Sequence, residues 1–176
     1  LHYAPAMVID HGRKSAWGTG LSCHSCLLRP KSRGEVTLES ADPFADPLID
    51  PKFLTHPDDM QDMIDGYKAM MKVLNNASFS KYISQNTQRP IDINDDADIE
   101  KAIREEADTV YHPVGTCKMG DDDMSVVSHD LKVHKMKGLR VVDASIMPTL
   151  VGGNTNAPTI MIGEKASDLI INEWRI

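Results

Sequence analysis

The side chain best suited to acid–base chemistry is His112, which is followed directly by Pro113. A proline disfavours helical backbone in the residue before it, so the pair predicts that His112 lies in a loop. Loops often carry catalytic side chains, and an imidazole changes its charge near neutral pH, which suits it to accept or donate a proton. A lone His-Pro pair is more often a surface or structural histidine. The residues around it must therefore decide its role.

The cysteines offer a second kind of chemistry, because Cys23 and Cys26 have the C-x-x-C spacing of redox and metal sites. If the segment is a strand, positions three apart point to opposite faces and the two thiols diverge. We therefore expect no metal or redox site there, and we interpret Cys117 as a packed small residue. An odd number of cysteines also builds no disulfide framework, which favours a reducing compartment.

A run of acidic residues, Asp92 to Asp96, begins like a calcium-binding loop. Such a loop needs glycine at its sixth position and a bidentate glutamate at its twelfth, where this chain has Ala97 and Ile103. We therefore predict no calcium site, and no other metal site.

Composition limits the class of protein. The 176 residues are 41% hydrophobic and 26% charged, enough for one folded domain with a real core. A net charge of −7 repels phosphate backbones, which argues against nucleic acid as a partner. No apolar run is long enough to span a bilayer, and no signal-peptide pattern opens the chain, which begins at Leu1. We expect a fragment or processed piece of a cytoplasmic protein, with peripheral association with an inner membrane as the alternative.

Extended and irregular segments are predicted in the first third of the chain. Runs at Leu21–Leu28 and Glu35–Leu38 flank a turn rich in proline, glycine and charge, which predicts an antiparallel pair. Prolines then recur at every fourth position, Pro43, Pro47 and Pro51, which predicts an irregular connector.

Helical periodicity dominates the rest. A helix from Pro57 to about Asn75, with Thr55 as its cap, follows from apolar residues spaced by three and four: Met60, Met63, Ile64, Tyr67, Met70, Met71 and Leu74. We interpret its methionines as core residues. A second helix is predicted from about Asp95 to Asp108, because acidic residues suit its positive end.

The C-terminal part is predicted to contain a short buried strand, a turn and a final helix. The strand is Leu139–Val142, the turn contains Gly152 and Gly153, and the helix opens near Pro158 and runs to about Trp174.

Long stretches around these elements resemble the glucose-methanol-choline (GMC) oxidoreductases. The matching strings are Tyr111 to Gly120, Leu139 to Pro148 and Gly152 to Lys165, while Leu27 to Gly34 and Ser40 to Pro43 are similar to the family's substrate-binding sheet. The sequences of these segments are most similar to bacterial choline dehydrogenases and aliphatic alcohol dehydrogenases.

The resemblance implies an α+β fold, with an antiparallel sheet covered by helices. It implies a substrate-binding domain at residues 1–127 and a segment at 128–176, a strand and a helix, that returns to the FAD domain. That domain opens with a Gly-rich dinucleotide turn, and no G-x-G-x-x-G follows a strand in this chain. We therefore expect the main N-terminal FAD domain to lie outside these residues and to be this chain's partner.

The resemblance also implies FAD as the cofactor and assigns roles to five residues. His112 corresponds to the family's active-site base and Asn156 to its second polar residue, which orients the alcohol beside the cofactor. Asp143 and Ala144 match the segment that approaches the flavin. A helix starting near Ala157 would direct its amide hydrogens and positive dipole end at the charge of the reduced flavin.

Two functions of different classes remain open at this point. The first is oxidation of an alcohol, aliphatic or choline, to an aldehyde by base-assisted hydride transfer to flavin, with the isolated fragment inactive. Choline binding favours an aromatic cage, and aromatic residues make up only 5% of the chain. The alternative is an isolated binding or interaction module without catalysis. The electron acceptor, and hence oxidase or dehydrogenase, is not encoded here, although the motifs favour a dehydrogenase.

Overall fold

A computed structural model describes residues 1–8, 12–14, 18–83 and 90–174. Within these residues the chain has four α-helices and two small antiparallel sheets of two strands each, so the predicted α+β class is confirmed. The chain forms two compact units, one of Leu1–Leu27 with Leu54–Val110 and the other of Leu28–Phe53 with Tyr111–Ile176. The predicted division at residue 127, into a substrate-binding domain and a segment that returns to a flavin domain, stays a prediction.

The first unit contains one sheet and three helices. Its elements are β1 (His2–Ala4), β2 (Ser22–His24), α1 (Pro57–Leu74), α2 (Ala77–Ser80) and α3 (Asp96–Glu106). The strands pair antiparallel, with Tyr3 opposite Cys23.

Helix α1 follows the prediction closely, because its signals are local. Pro57 occupies the first turn, and Asn75 caps the other end with its amide donating to Met71 O at 2.9 Å. The cap predicted at Thr55 is wrong. Asp58 N instead donates to Nδ1 of His56 at 3.2 Å, because His56 is the residue that directly precedes the helix.

Helix α3 packs on α1 and completes the core of this unit. Asp95 caps it by accepting from Ala97 N at 2.9 Å, one residue from the predicted start. Its Ile99 is fully buried and lies in one cluster with Met60 and Ile64 of α1. The interpretation of the α1 methionines as core is confirmed for the two buried ones, Met60 and Met70.

The antiparallel pair predicted from Leu21–Leu28 and Glu35–Leu38 is wrong, because each strand pairs elsewhere. β2 pairs with β1, while β3 (Glu35–Thr37) pairs with β4 (Leu48–Asp50) in the second unit. Two features favour β4 over β2 as the partner of β3. Arg33 Nη1 donates to Pro30 O at 2.6 Å, which closes the turn on itself, and a Cβ on Gly34 would lie 2.3 Å from Asp50 O. Glycine therefore allows β4 to approach the start of β3.

Strand β4 also corrects the predicted irregular connector. Pro47 and Pro51 flank β4 rather than interrupt it, so neither removes an amide from the three-residue strand. The residue before a proline prefers extended backbone, which is the conformation that Asp50 adopts in β4.

The two N-terminal thiols do not have the geometry predicted for them. β2 ends at His24, so Cys26 lies beyond the strand and the opposite-face relation with Cys23 does not apply. Both cysteines are free and half-buried, and burial raises the pKa of the Cys23 thiol. A raised pKa lowers the fraction of reactive thiolate at neutral pH.

The second unit is built on α4 (Asn156–Trp174), which is two residues longer at its start than predicted. Ile162 and Ala166 on this helix are buried with four other residues in one apolar cluster, called here the α4 core: Val127, Leu131, Ile146, Met147, Ile162 and Ala166. A 3₁₀ turn, Ala144–Ile146, contributes Ile146 to it. Among the described residues, no helix combines the length and the apolar character needed to cross a membrane.

The strand predicted at Leu139–Val142 is wrong. Arg140 forms one isolated bridge with Lys132, and Val133 N donates to Leu139 O at 3.0 Å. Leu139 is exposed, whereas Val141 and Val142 are half-buried against the α4 core. A single bridged pair gives too few ladder hydrogen bonds for a strand, so the segment is extended only locally.

Ion pairs connect the last turn of α4 to Lys132 and Arg140. Glu173 accepts from Arg140 and lies 2.9 Å from Lys132 Nζ, which also lies 3.3 Å from Asp130. Lys132, and then Arg140, lower the pKa of the Glu173 carboxyl from its ordinary value of 4.5. The pairing therefore contributes to stability above 4.5 and is lost as the pH falls through the lowered pKa.

Replacement of the buried Ile162 by alanine should reduce the free energy of unfolding by about 2 to 5 kcal/mol, because it leaves a cavity in the α4 core. Ile160 lies on the same helix but is 59% exposed, so Ile160→Ala is the matched control and should change stability by less than about 0.5 kcal/mol. Urea unfolding of the chain measures both. Equal losses would contradict the assignment of Ile162 to a packed core.

Glu173→Gln should destabilise the chain at neutral pH and have a smaller effect in acid well below 4.5, where the wild-type carboxyl is itself protonated. Glu164→Gln on the exposed surface of the same helix is the control. The measurement is the free energy of unfolding of each variant at the two pH values. A loss for Glu173→Gln that does not shrink in acid would exclude the ionic contribution.

Candidate active site

The imidazole of His112 meets Thr155, 43 residues later in the chain. Nδ1 of His112 lies 3.0 Å from the Thr155 hydroxyl oxygen and 3.4 Å from the Thr155 backbone nitrogen. Thr155 is buried, with 7% of its surface exposed, whereas His112 is half-buried. The ring is thus held through Nδ1, and among the described residues Nε2 makes no hydrogen bond.

The backbone on both sides of His112 is restricted. Tyr111 has a φ of 64°, in the left-handed region that residues other than glycine rarely adopt. Pro113 disfavours helical backbone at His112 from the other side. Gly115, at a φ of 91°, lies so close to Met147 O that an added Cβ would be 3.3 Å from it. These restrictions fix the direction in which the His112 side chain leaves the loop.

The segment after this loop is held by the 3₁₀ turn. Cys117 N donates to Ser145 O at 3.0 Å and Met119 N donates to Ile146 O at 2.8 Å. Cys117 is free and half-buried, and it packs within this backbone ladder. Because Ile146 is itself in the α4 core, the loop that carries His112 is connected to a buried part of the unit.

Asp143 and Ala144, the residues expected to approach a flavin, begin the 3₁₀ turn. Asp143 is the cap of the turn, and its Oδ1 accepts from Ser145 N at 2.8 Å and from Ser145 Oγ at 2.5 Å. Ala144 is half-buried against the α4 core. Within the described part of the chain, no hydrogen bond joins Asp143 to His112. The Asp143 carboxylate thus stabilises the turn by capping it. A ligand would be contacted by the turn as a whole and not by this carboxylate alone.

The start of α4 lies beside His112. Thr155 precedes the first helical residue, and its carbonyl accepts from Thr159 N at 3.0 Å and from Thr159 Oγ1 at 2.6 Å. Asn156 and Ala157 are exposed, and their backbone amides meet no acceptor among the residues described. Unpaired amides at the positive end of a long helix attract negative charge.

The turn before α4 is supported from the side by an arginine. Gly152 has a φ of 77°, and a Cβ added to it would lie 3.0 Å from Nη2 of Arg29. Arg29 belongs to the upstream string that resembles the substrate-binding sheet. This close approach explains glycine at position 152, since any side chain would need both a rare backbone conformation and the space of the guanidinium.

The predicted site residues are thus brought together only in part. His112 contacts the residue directly before Asn156, while Asp143 and Ala144 are linked to the His112 loop through the backbone of the 3₁₀ turn. Thr155 was not identified from the sequence. A signal was present, because Pro158, three residues later, lacks the amide to which a helix-capping threonine often bonds.

Asp143→Ala should lower the free energy of unfolding by about 1 kcal/mol, because it removes the acceptor that caps the 3₁₀ turn. Asp143→Asn keeps an acceptor oxygen at the same place and is the matched control, which should lose less. Urea unfolding measures both. If the two variants were equally destabilised, the charge and not the cap would be the source of stability.

Comparison with known proteins places these features in a family. The chain is 48% identical over 172 residues to "Alcohol dehydrogenase [acceptor]" of Pseudomonas putida, covering 98% of this chain and 31% of that protein. It is 41% identical over 169 residues to an oxygen-dependent choline dehydrogenase of Klebsiella pneumoniae, covering 96% of this chain and 30% of that protein. The chain therefore spans about 30% of the length of these relatives.

Solved structures match the fold as well. Formate oxidase of Aspergillus oryzae, described with an FAD modification, aligns with a TM-score of 0.80 and 32% identity, covering 84% of this chain and 26% of that one. Pyridoxine 4-oxidase of Mesorbium loti aligns with a TM-score of 0.72 and 29% identity, covering 80% and 28%. The C-terminal model of the GMC oxidoreductase family matches residues 30–163, the part of the chain that includes the His112 loop and the start of α4, and the chain belongs to this family.

Proposed function

We propose that this chain is the substrate-binding part of an FAD-dependent alcohol oxidoreductase and that His112 is its catalytic base. The observation that carries the proposal is the anchoring of His112 through Nδ1 beside the start of α4. One imidazole nitrogen is thereby held by the protein and the other is left for a substrate, next to a helix end that favours negative charge.

The residues present fit a flavin. Asn156 and Ala157 are exposed residues at the positive end of a helix of 19 residues, and their amides, which meet no acceptor among the described residues, suit the negative charge that a reduced flavin carries. The turn that begins at Asp143 and Ala144 is the second proposed contact. When bound, FAD supplies the acceptor for the hydride that leaves the alcohol carbon.

His112 accepts the hydroxyl proton of the alcohol at Nε2. A neutral imidazole is basic enough for this transfer near neutral pH, and the ring becomes positively charged when it takes the proton. That charge then stabilises the negative charge that develops on the substrate oxygen. Because the backbone around His112 is restricted on both sides, the ring needs little reorganisation before the transfer.

Asn156 positions the substrate. Its side-chain amide cannot take a proton at neutral pH, but its NH₂ group can donate to the oxygen that loses the proton. Asn156 is the exposed first residue of α4 and directly follows Thr155, the residue that contacts the imidazole of His112. Asn156 therefore contributes orientation and one hydrogen bond.

The proposed substrate is an aliphatic alcohol, oxidised to an aldehyde, with choline as the second candidate. The similarity to a choline dehydrogenase favours choline, while the low aromatic content of this chain provides little material for an aromatic cage. Anaerobic mixing of the full-length protein with saturating choline or with a primary aliphatic alcohol distinguishes the two by the rate at which the flavin is reduced. We propose a dehydrogenase, as in both curated relatives.

We propose that activity belongs to a longer protein that contains this chain and a partner FAD domain. The 176 residues alone should then oxidise no alcohol, even with added FAD and an artificial electron acceptor. The alternative is an interaction module that has lost catalysis. Retention of FAD and quenching of its fluorescence by the full-length protein support the enzyme, and absence of both supports the module.

His112→Ala should lower the rate of flavin reduction by about a hundredfold to ten-thousandfold, because it removes base assistance. Asn156→Ala should lower it less, because it removes orientation and a single hydrogen bond. His129→Ala is the control, since His129 is an exposed histidine paired with Asp121 on the surface, and it should have no effect. The rates are measured anaerobically with a saturating alcohol. A wild-type rate for His112→Ala would exclude it as the base.

A further inference from the structure

We propose that the hydroxyl of Thr155 selects the tautomer of His112 and so makes Nε2 the basic nitrogen. Thr155 is thus a positioning residue for the proposed reaction. Only the expected effect on the reaction rate rests on the proposed function of His112. The tautomer itself can be observed directly.

Two groups of Thr155 face the same ring nitrogen and have opposite effects on it. The backbone N–H can only donate, so its contact with Nδ1 at 3.4 Å favours an unprotonated Nδ1 and a proton on Nε2. The hydroxyl can either donate or accept, and at 3.0 Å its oxygen is the closer partner of Nδ1; in the proposed arrangement it accepts. When Nδ1–H donates to this oxygen, the lone pair of the neutral ring is on Nε2.

The hydroxyl is available for this bond because α4 does not use it. A threonine that precedes a helix commonly accepts from the amide two or three positions later. Three positions later is Pro158, which has no amide hydrogen, and the amide of Ala157, two positions later, meets no acceptor among the described residues. The helix is instead started by the Thr155 carbonyl, which accepts from both groups of Thr159. The hydroxyl is therefore free to serve His112.

Burial strengthens the hydrogen bond between the Thr155 hydroxyl and the ring. Thr155 has 7% of its surface exposed, so little water competes for its hydroxyl, and an unmatched polar group there would be costly. The proton balance of the proposed step is then complete. The alcohol proton forms a bond with Nε2, Nδ1 keeps its own proton, and the charged ring still donates from Nδ1 to the Thr155 oxygen.

The test is a matched pair of variants in the full-length FAD-loaded protein. Thr155→Val keeps the shape and the backbone N–H but removes the hydroxyl, whereas Thr155→Ser keeps the hydroxyl. Side-chain ¹⁵N NMR spectra with labelled histidine report which ring nitrogen carries the proton, and the spectrum of His112→Ala identifies the signals of His112. We expect the proton on Nδ1 in the wild type and Thr155→Ser, and on Nε2 in Thr155→Val.

Kinetics give a second readout. Thr155→Val should lower the limiting rate of flavin reduction by about tenfold, the effect of one hydrogen bond, with little change in the alcohol concentration needed for half-saturation. Thr155→Ser should restore most of the rate. An unchanged tautomer in Thr155→Val, or a wild-type proton on Nε2, overturns the inference. A tautomer that switches as expected while the rate stays at the wild-type value upholds the role of Thr155 and instead overturns His112 as the base.

Discussion

The packing of α4 into its buried cluster is the constraint on which the second unit depends. Ile162 and Ala166 fix one face of the helix against Val127 and Ile146. Ile146 belongs to the 3₁₀ turn that pairs with the segment after His112, so the same packing determines where the start of α4 lies relative to the His112 loop. A hydrogen bond between residues 112 and 155 is possible only because this core brings two distant parts of the chain together.

The site combines a buried support with exposed residues at the start of α4. Thr155 is buried and holds the imidazole, while Asn156 and Ala157 are exposed at the end of the helix. The positive end of α4 would stabilise negative charge nearby without a charged side chain, and in the proposed reaction His112 is the group that moves the proton. At the other end of the helix, Glu173 and its basic partners tie the last turn to the same unit. Both ends of α4 are therefore fixed by interactions that are far apart in sequence.

The helices were predictable because their signals lie within a few residues of each other. Asp95 and Pro57 mark helix starts through local hydrogen bonding and ring geometry, and the spacing of Met60 and Ile64 indicates the buried face. Strand pairing was not predictable in this way. The partner of Glu35–Thr37 depends on Gly34 fitting against Asp50, which no local pattern encodes.

Candidate site residues could be named from the sequence where they lie in a long segment that resembles the family. Contacts between segments that only folding brings together could not be predicted. His112, Asn156, Asp143 and Ala144 came from the resemblance, and their functional roles remain proposals. Thr155 is the neighbour of Asn156 in the same string, yet its contact with His112 crosses 43 residues and depends on a helix cap left unused. Only the folded arrangement joins it to the imidazole.

The central claim is that His112 takes a proton from the alcohol, and the pH dependence of flavin reduction tests it most directly. The limiting rate would be measured anaerobically across the acid range with a saturating primary alcohol, for the wild type and for His112→Ala. A protonated imidazole cannot act as a base, so the wild-type rate should fall as the pH is lowered, while the slow rate of His112→Ala should lose this fall. An acid-side fall that survives unchanged in His112→Ala would show that another group is the base and would contradict the account.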